Sequence, residues 1–116
     1  NSPRDTLSRL ETMTLMAGFE LPVLAIRKQI AAALDLIIYL TRFPDGTRKV
    51  TQISEVAGME SEVITLTDIF QFQQTGTDPE GRPVGQFRPT GLRPMFANKL
   101  EAAGFKFDRS MFMMGK

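Results

Sequence analysis

The sequence contains no histidine, no cysteine and no tryptophan, and its one tyrosine is Tyr39. The missing histidine removes the commonest general base near neutral pH. The missing cysteine removes thiol nucleophiles, thiolate metal sites and disulfide bonds. Asp, Glu, Lys, Ser and Thr remain, and no stretch of the sequence predicts that these converge in a pocket. We therefore expect that the chain alone is not an enzyme, with no catalytic residue, no metal site and no cofactor.

An excess of charge of one sign is also missing, because 14 Lys and Arg residues face 13 Asp and Glu residues. Nucleic-acid-binding proteins usually carry a basic stripe, so we expect no nucleic-acid partner. No apolar run approaches the roughly 18 residues of a membrane helix, and no signal-peptide pattern is present. The absence of cysteine favours a reducing compartment such as a bacterial cytoplasm. The length of 116 residues and the hydrophobic content of 42% predict one globular domain over residues 1–116.

Two helices are predicted at the start of the chain. Ser2 is a typical N-cap, Pro3 suits the first helical position, and Gly18 is the expected stop. The second helix begins at Pro22 and gives way to a strand near Asp35. Since the chain opens directly on a helix cap, we expect it to be a fragment of a longer protein.

Strand signals follow in the middle of the chain. Residues 34–43 are apolar and β-prone, the Pro-Asp-Gly sequence at 44–46 predicts a turn, and residues 47–56 form the return strand. The apolar pattern of that return strand breaks its period, which indicates a β-bulge or burial of both faces. Gly58 is expected to interrupt it, and residues 63–73 form a third strand.

The last third of the chain predicts a short strand and a helix. A polar loop over residues 75–83 precedes a fourth strand at 84–88, which the flanking prolines keep away from a central position. A final helix covers residues 92–103. The Met-rich tail at 105–116 either packs onto the core, forms a partner surface or is loosely ordered. The predicted fold class is α+β, with two N-terminal helices, an antiparallel meander of three to four strands and a C-terminal helix.

The spacing of glycines at 76–81 matches the start of a phosphate-binding loop, but the surrounding residues do not. Arg82 and Pro83 follow, where such a loop continues with Lys and then Ser or Thr. Asp78 and Glu80 would also repel a phosphate. We therefore interpret the segment as a hairpin loop.

The other charged residues carry weaker signals. Glu55, Glu60 and Glu62 surround Gly58 without the spacing of a calcium loop, so we expect them, like Asp78 and Glu80, to be solvated. Arg27 lies among apolar residues of the second helix. Its guanidinium could bind a phosphate or a carboxylate through two hydrogen bonds, although an exposed helix position is the commoner explanation.

Several ordered blocks of the sequence resemble the C-terminal part of the type II/IV secretion system ATPases, in the branch that serves tight-adherence and Flp pilus assembly. The similarity covers nearly the whole chain and is weakest after Phe105. The blocks are residues 1–13, 15–22 (LMAGFELP), 25–30, 35–38, 45–51 (DGTRKVT), 53–59 (ISEVAGM), 63–70 (VITLTDIF) and 85–91 (GQFRPTG), followed by Arg93 and Pro94.

The resemblance implies a parent with a P-loop ATPase core that forms a hexameric ring at the bacterial inner membrane and binds ATP and Mg upstream of this chain. The family's histidine box ends in His-Ala-Asn, so Asn1 corresponds to its last residue. By family position, Asn1, Arg4 and Arg27 are candidates for nucleotide-proximal or intersubunit contacts. The implied partners are the upstream core, neighbouring subunits of a homo-hexamer and an inner-membrane platform protein, with the parent peripheral to that membrane on its cytoplasmic side.

Two other functions stay open from the residues. One is an autonomous interaction module that docks a membrane platform protein through its sheet or its Met-rich tail. The other is a small ligand-binding or hydrolytic domain that uses a carboxylate and a lysine. The fragment hypothesis makes a distinguishing prediction, because removal of an upstream core would leave an exposed apolar surface.

Overall fold

The computed structural model describes residues 2–18 and 22–113, and its three α-helices and four strands confirm the predicted α+β class. The strands form one antiparallel sheet in the order β1-β2-β3-β4. The elements are α1 (Pro3–Met16), α2 (Val23–Ala33), β1 (Leu36–Arg42), β2 (Arg48–Glu60), β3 (Val63–Thr77), β4 (Pro83–Pro89), α3 (Met95–Ala102) and a 3₁₀ helix (Arg109–Phe112).

Helix α1 begins as its sequence predicts. Ser2 has an extended backbone, and its hydroxyl oxygen accepts a hydrogen bond from the backbone N–H of Asp5 at 3.2 Å. This bond satisfies one of the N–H groups that lack a partner in the first turn of a helix. Gly18 follows the helix with a φ of 86°, the left-handed conformation expected of a stop signal.

Strand β2 is longer than predicted, and the expectation that Gly58 interrupts it is wrong. The pairing register between β2 and β3 shifts between Val56 and Gly58, so Ala57 is the extra residue of a β-bulge. Gly58 takes a φ of 131°, which a glycine adopts without the steric penalty of a side chain. The strand therefore continues through the bulge, and the chain reverses later, at Ser61.

Strand β2 contains a second β-bulge, where it pairs with β1, and this one confirms the bulge predicted from the broken apolar period. Tyr39 pairs with Gln52 and Leu40 pairs with Val50, which leaves Thr51 as the extra residue of β2. The inserted residue changes the parity of the strand, so Val50 and Ile53 lie on the same face despite their odd spacing.

The hairpin between β3 and β4 extends beyond its predicted length and shortens the polar loop to residues 78–82. Antiparallel backbone pairing does not depend on side-chain polarity, so the polar end of β3 is still paired, as Thr77 is with Pro83. The Asp78 side chain accepts hydrogen bonds from the backbone N–H groups of Glu80 and Arg82, at 3.0 and 2.7 Å. The hairpin interpretation of this loop and the edge position of β4 are confirmed.

The two faces of the sheet pack against different helices. On one face, Leu7 of α1 meets Ile37, Val56 and Ile64 of the sheet, with apolar residues of α2 packed around them. A second cluster joins Ile69 of β3 to α3 and to the 3₁₀ helix; its members are Ile69, Ala97 and Phe112. Side chains alternate between the faces of a strand, and Glu55, which precedes Val56, contacts α3. The sheet therefore lies between α1 and α3, while the end of α2 and the start of α3 line a common cavity beside residues 55–58 of β2.

Helix α3 starts at Met95 and not at residue 92 as predicted. A residue that precedes proline is disfavoured in the helical region, which excludes Arg93 from the helix and places Pro94 at its N-cap. The 3₁₀ helix in the tail buries Phe112, while Met111 and Met113 stay exposed. Residues 114–116 of the predicted tail lie outside the described residues.

A close approach between β3 and β4 requires glycine at position 85. A Cβ atom added to Gly85 would lie 2.2 Å from the backbone oxygen of Gln73 and 2.8 Å from the ring of Phe72. Both distances are shorter than van der Waals contact, and the nearer atom belongs to the backbone and cannot rotate away. The pairing of β4 with β3 thus depends on the missing side chain.

We predict that Gly85→Ala lowers the free energy of unfolding by about 1–3 kcal/mol, because the added methyl group forces the strands apart. Urea denaturation of both proteins measures this change. Gly76→Ala in the same hairpin is the matched control, since its Cβ would meet nothing within 4 Å. The control should stay within about 1 kcal/mol of the wild type. Equal effects of the two substitutions would show that the close approach does not constrain the hairpin.

Candidate functional site

The carboxylate of Glu55 lies at the N-terminus of α3. Glu55 is 5% exposed, and its two oxygens accept hydrogen bonds from the backbone N–H groups of Met95 and Phe96, each at 2.8 Å. Helix α3 has no side-chain cap of its own, because Pro94 occupies the N-cap position. The carboxylate therefore supplies from β2 both the hydrogen-bond acceptors and the negative charge that a helix N-terminus favours.

This arrangement corrects the prediction that Glu55 is solvated. Glu60, Glu62 and Glu80 are exposed as expected, whereas Glu55 is buried because both of its oxygens have partners. One feature of the sequence could have indicated that an acidic side chain is buried here. The N-cap of the final helix is a proline, which has no side-chain acceptor, so the first N–H groups of the helix need an acceptor from another element.

Asp68 of β3 belongs to a partly buried polar network. The hydroxyl of Ser54, which is fully buried, donates to Asp68 Oδ1 at 2.6 Å, and Gln71 Nε2 donates to Asp68 Oδ2 at 3.1 Å. Asp68 therefore satisfies a buried hydroxyl on the neighbouring strand. Because Ser54 is inaccessible, this Ser–Asp pair connects strands and cannot act on a substrate.

Arg27 joins three elements of the fold. Its Nε and Nη2 atoms donate to the two carboxylate oxygens of Glu11 on α1, at 3.0 and 3.3 Å. Its Nη1 donates to the backbone oxygen of Glu62, in the turn between β2 and β3, at 3.0 Å. The hydrogen bond and the negative charge of Glu11 raise the pKa of Arg27 above its ordinary value. The carboxylate that Arg27 binds is thus within the chain, and the Arg27 side chain as a whole is still 34% exposed.

Arg4 and Arg27 line the same cavity, which has a volume of about 180 Å³. Arg4, Ser8 and Glu11 follow one another at helical spacing along one side of α1. The apolar part of the wall is formed by Leu7, Val63 and Ile64. The structure therefore brings two of the three predicted site residues together. The third, Asn1, lies outside the described residues.

The two arginines differ in their surroundings. Arg4 is exposed, and its guanidinium makes no hydrogen bond or ion pair with the residues that the structure describes. Arg27 is held by Glu11 and by the Glu62 carbonyl. The sequence suggested both residues by type and position, but Glu11 was missed because its spacing of 16 residues from Arg27 carries no local signal.

No three Asp or Glu side chains within residues 2–18 and 22–113 converge to hold a metal ion. In the same part of the chain, no helix is both long and apolar enough to cross a membrane. Neither a protein-family model nor a curated protein matches the chain.

We predict that Glu55→Ala lowers the free energy of unfolding by about 2 kcal/mol or more, because the Met95 and Phe96 N–H groups lose their acceptor. Glu55→Gln should recover part of this loss, since the amide has one oxygen but places an N–H₂ group against the second donor. Urea denaturation gives the three stabilities. Glu60→Ala, an exposed position on the same strand, is the control and should change stability by less than about 0.5 kcal/mol. If Glu55→Ala matched that control, the carboxylate would not be what holds α3.

Proposed function

We propose that the chain is the C-terminal part of a hexameric ATPase motor that powers type II/IV secretion or Flp pilus assembly. In this proposal the chain transmits the motion of the ring and does not hydrolyse ATP alone. ATP and Mg bind to the upstream P-loop core, which the parent contributes. The basis is the resemblance of ordered sequence blocks over nearly the whole chain, and the described fold supplies one supporting observation.

That observation is an exposed apolar stripe on β1, formed by Leu36, Ile38 and Leu40. These side chains are 40%, 56% and 57% exposed, and they alternate along the strand, so they share one face of the sheet. Strand β1 is also an edge strand, with one row of backbone groups unpaired within the described sheet. An apolar edge of this kind normally has a covering partner. An upstream core packed against β1 would provide that cover.

The proposal gives Arg4 and Arg27 an interface role and leaves hydrolysis to the parent. Both side chains line a surface cavity at the α1 side of the fold. With Asn1, they remain candidates for nucleotide-proximal or intersubunit contacts. The partners in this proposal are the upstream core, neighbouring subunits and an inner-membrane platform protein. The parent would work at the cytoplasmic side of that membrane.

The second candidate function is an autonomous interaction module that docks a membrane platform protein. The tail favours it, because Phe112 is buried while the flanking Met111 and Met113 are 45% and 61% exposed. Flexible methionine side chains adapt to irregular partner surfaces. The two candidates differ in where the chain's apolar contact lies, on β1 for the motor and on the tail for the module.

The exposed apolar stripe on β1 allows the motor proposal to be distinguished from the module. We expect the isolated chain to self-associate and to bind a hydrophobic dye, and we expect the double substitution of Ile38 and Leu40 by Lys to reduce both effects. Sedimentation and dye fluorescence are the measurements. Substitution of Met13 and Met16 by Lys is the control, because these residues are exposed on α1, away from the stripe. A wild-type chain that stayed monomeric without dye binding would favour the module.

A titration with Mg-ATP tests the catalytic part of the proposal. We expect no phosphate release, because the described chain has neither a phosphate loop nor a converged carboxylate site. Amide chemical shifts recorded in the same titration report any binding. Saturable shifts confined to the surroundings of Arg4 and Arg27, without turnover, would indicate nucleotide-proximal residues. Sustained phosphate release by the isolated chain would refute the proposal that it does not hydrolyse ATP alone.

A further inference from the structure

The cavity between α1, α2 and the start of β3 holds more hydrogen-bond donors than its own residues use. A guanidinium has five N–H groups, and Arg27 uses three of them for Glu11 and for the Glu62 carbonyl, so two remain. Arg4 uses none of its five with the described residues. The hydroxyl of Ser8 lies in the same wall and has no described partner. The cavity therefore offers a concentrated set of unused donors.

The charges of the wall favour an anion. Two arginines and one carboxylate residue line the cavity, and both oxygens of that carboxylate, on Glu11, are already bound by Arg27. The charge of Glu62, in the adjacent turn, also acts on Arg27. The charge of Glu11 is compensated by this pair, whereas Arg4 forms no ion pair with a described residue; Asp68 lines a second cavity with Arg4 without pairing with it. An arginine binds carboxylates and phosphates through paired N–H groups, so either anion could meet this charge.

The apolar part of the wall distinguishes between the two anions. Leu7, Val63 and Ile64 line the cavity beside the arginines; Leu7 and Ile64 are nearly buried, and Val63, which is 54% exposed, supplies most of the accessible apolar surface. Such a surface gains from contact with methylene groups, whereas a free phosphate would lose hydration there without compensation. The pair formed by Glu11 and Arg27 already shows how this wall accommodates a carboxylate on an aliphatic stem.

We propose that this cavity binds the side-chain carboxylate of a glutamate from another protein molecule, with Arg4 as the main counterion and Arg27 and Ser8 as supporting donors. The methylene groups of that glutamate would contact Val63. The identity of the partner as a neighbouring subunit rests on the proposed function. The chemistry of the site does not, because it follows from the cavity of the isolated chain.

The test is a titration of the full 116-residue chain with glutamate whose amino and α-carboxyl groups are capped. Backbone amide chemical shifts are recorded at each step of the titration. We expect saturable shifts at the residues of the cavity wall, and none with the equally capped glutamine, which has the same shape without the charge. Arg4→Gln should weaken binding about ten-fold or more, the loss expected for a charge-assisted hydrogen bond. This substitution leaves the pair of Glu11 and Arg27 in place.

Arg9→Gln is the matched control, because Arg9 is exposed on the same helix and does not line the cavity. It removes the same charge from the chain and should leave the affinity unchanged. Arg27→Lys is a second variant, which keeps the charge but loses the paired donors, and it should weaken binding less than Arg4→Gln does. The amide spectrum of each variant shows whether its fold is retained.

Five outcomes would overturn the proposal. The first is no saturable shift with capped glutamate, the second is an equal response to capped glutamine, and the third is an equal loss of affinity in Arg9→Gln. Tighter binding of inorganic phosphate would assign the cavity to phosphoryl groups. Binding of free glutarate more than about ten-fold tighter than capped glutamate would assign it to a small dicarboxylate. None of these outcomes depends on the self-association or the ATP titration that tests the motor.

Discussion

The carboxylate of Glu55 joins the sheet to the C-terminal third of the chain. Helix α3 is eight residues long and has Pro94 as its N-cap, so it has neither the length nor the side-chain cap that would stabilise it alone. Its first N–H groups are satisfied from β2, and its one buried residue, Ala97, joins a small cluster with Ile69 and Phe112. The position of α3 therefore depends on two contacts with the sheet, the buried carboxylate of Glu55 and the small apolar cluster around Ala97.

Arg27 has a comparable place on the opposite face of the sheet. It connects α2 to α1 through Glu11 and to the turn between β2 and β3 through the Glu62 carbonyl. In both cases a charged side chain joins elements that are far apart in sequence, and each charge is satisfied by hydrogen bonds of good geometry. The difference lies in exposure. Glu55 is enclosed and serves the fold, whereas Arg27 stays partly open and borders the cavity that Arg4 also lines.

Two parts of the surface, the apolar stripe on β1 and the cavity that Arg4 and Arg27 line, are open to contact with other molecules. The stripe of Leu36, Ile38 and Leu40 presents apolar side chains on an edge strand, and the cavity presents unused arginine donors. One surface favours an apolar partner and the other an acidic group, so a protein that covers both would meet apolar and charged contacts in different places. The two surfaces therefore differ in the kind of contact that they could make.

Local signals in the sequence determined the class of the fold and many of its boundaries. The cap at Ser2 and the stop at Gly18 depend on a few adjacent residues, and the structure has them where they were predicted. The loop that follows β3 is a hairpin loop as predicted, but it is confined to residues 78–82. Gly58 was misread because a glycine that ends a strand and a glycine within a bulge have the same local sequence, and pairing across the sheet decides between them. The burial of Glu55 and the partner of Arg27 depend on contacts over 40 and 16 residues. Hydrogen bonds between charged side chains and distant residues produce no periodic pattern in the sequence. For that reason, only the tertiary structure decided which charged side chains hold the fold and which remain accessible.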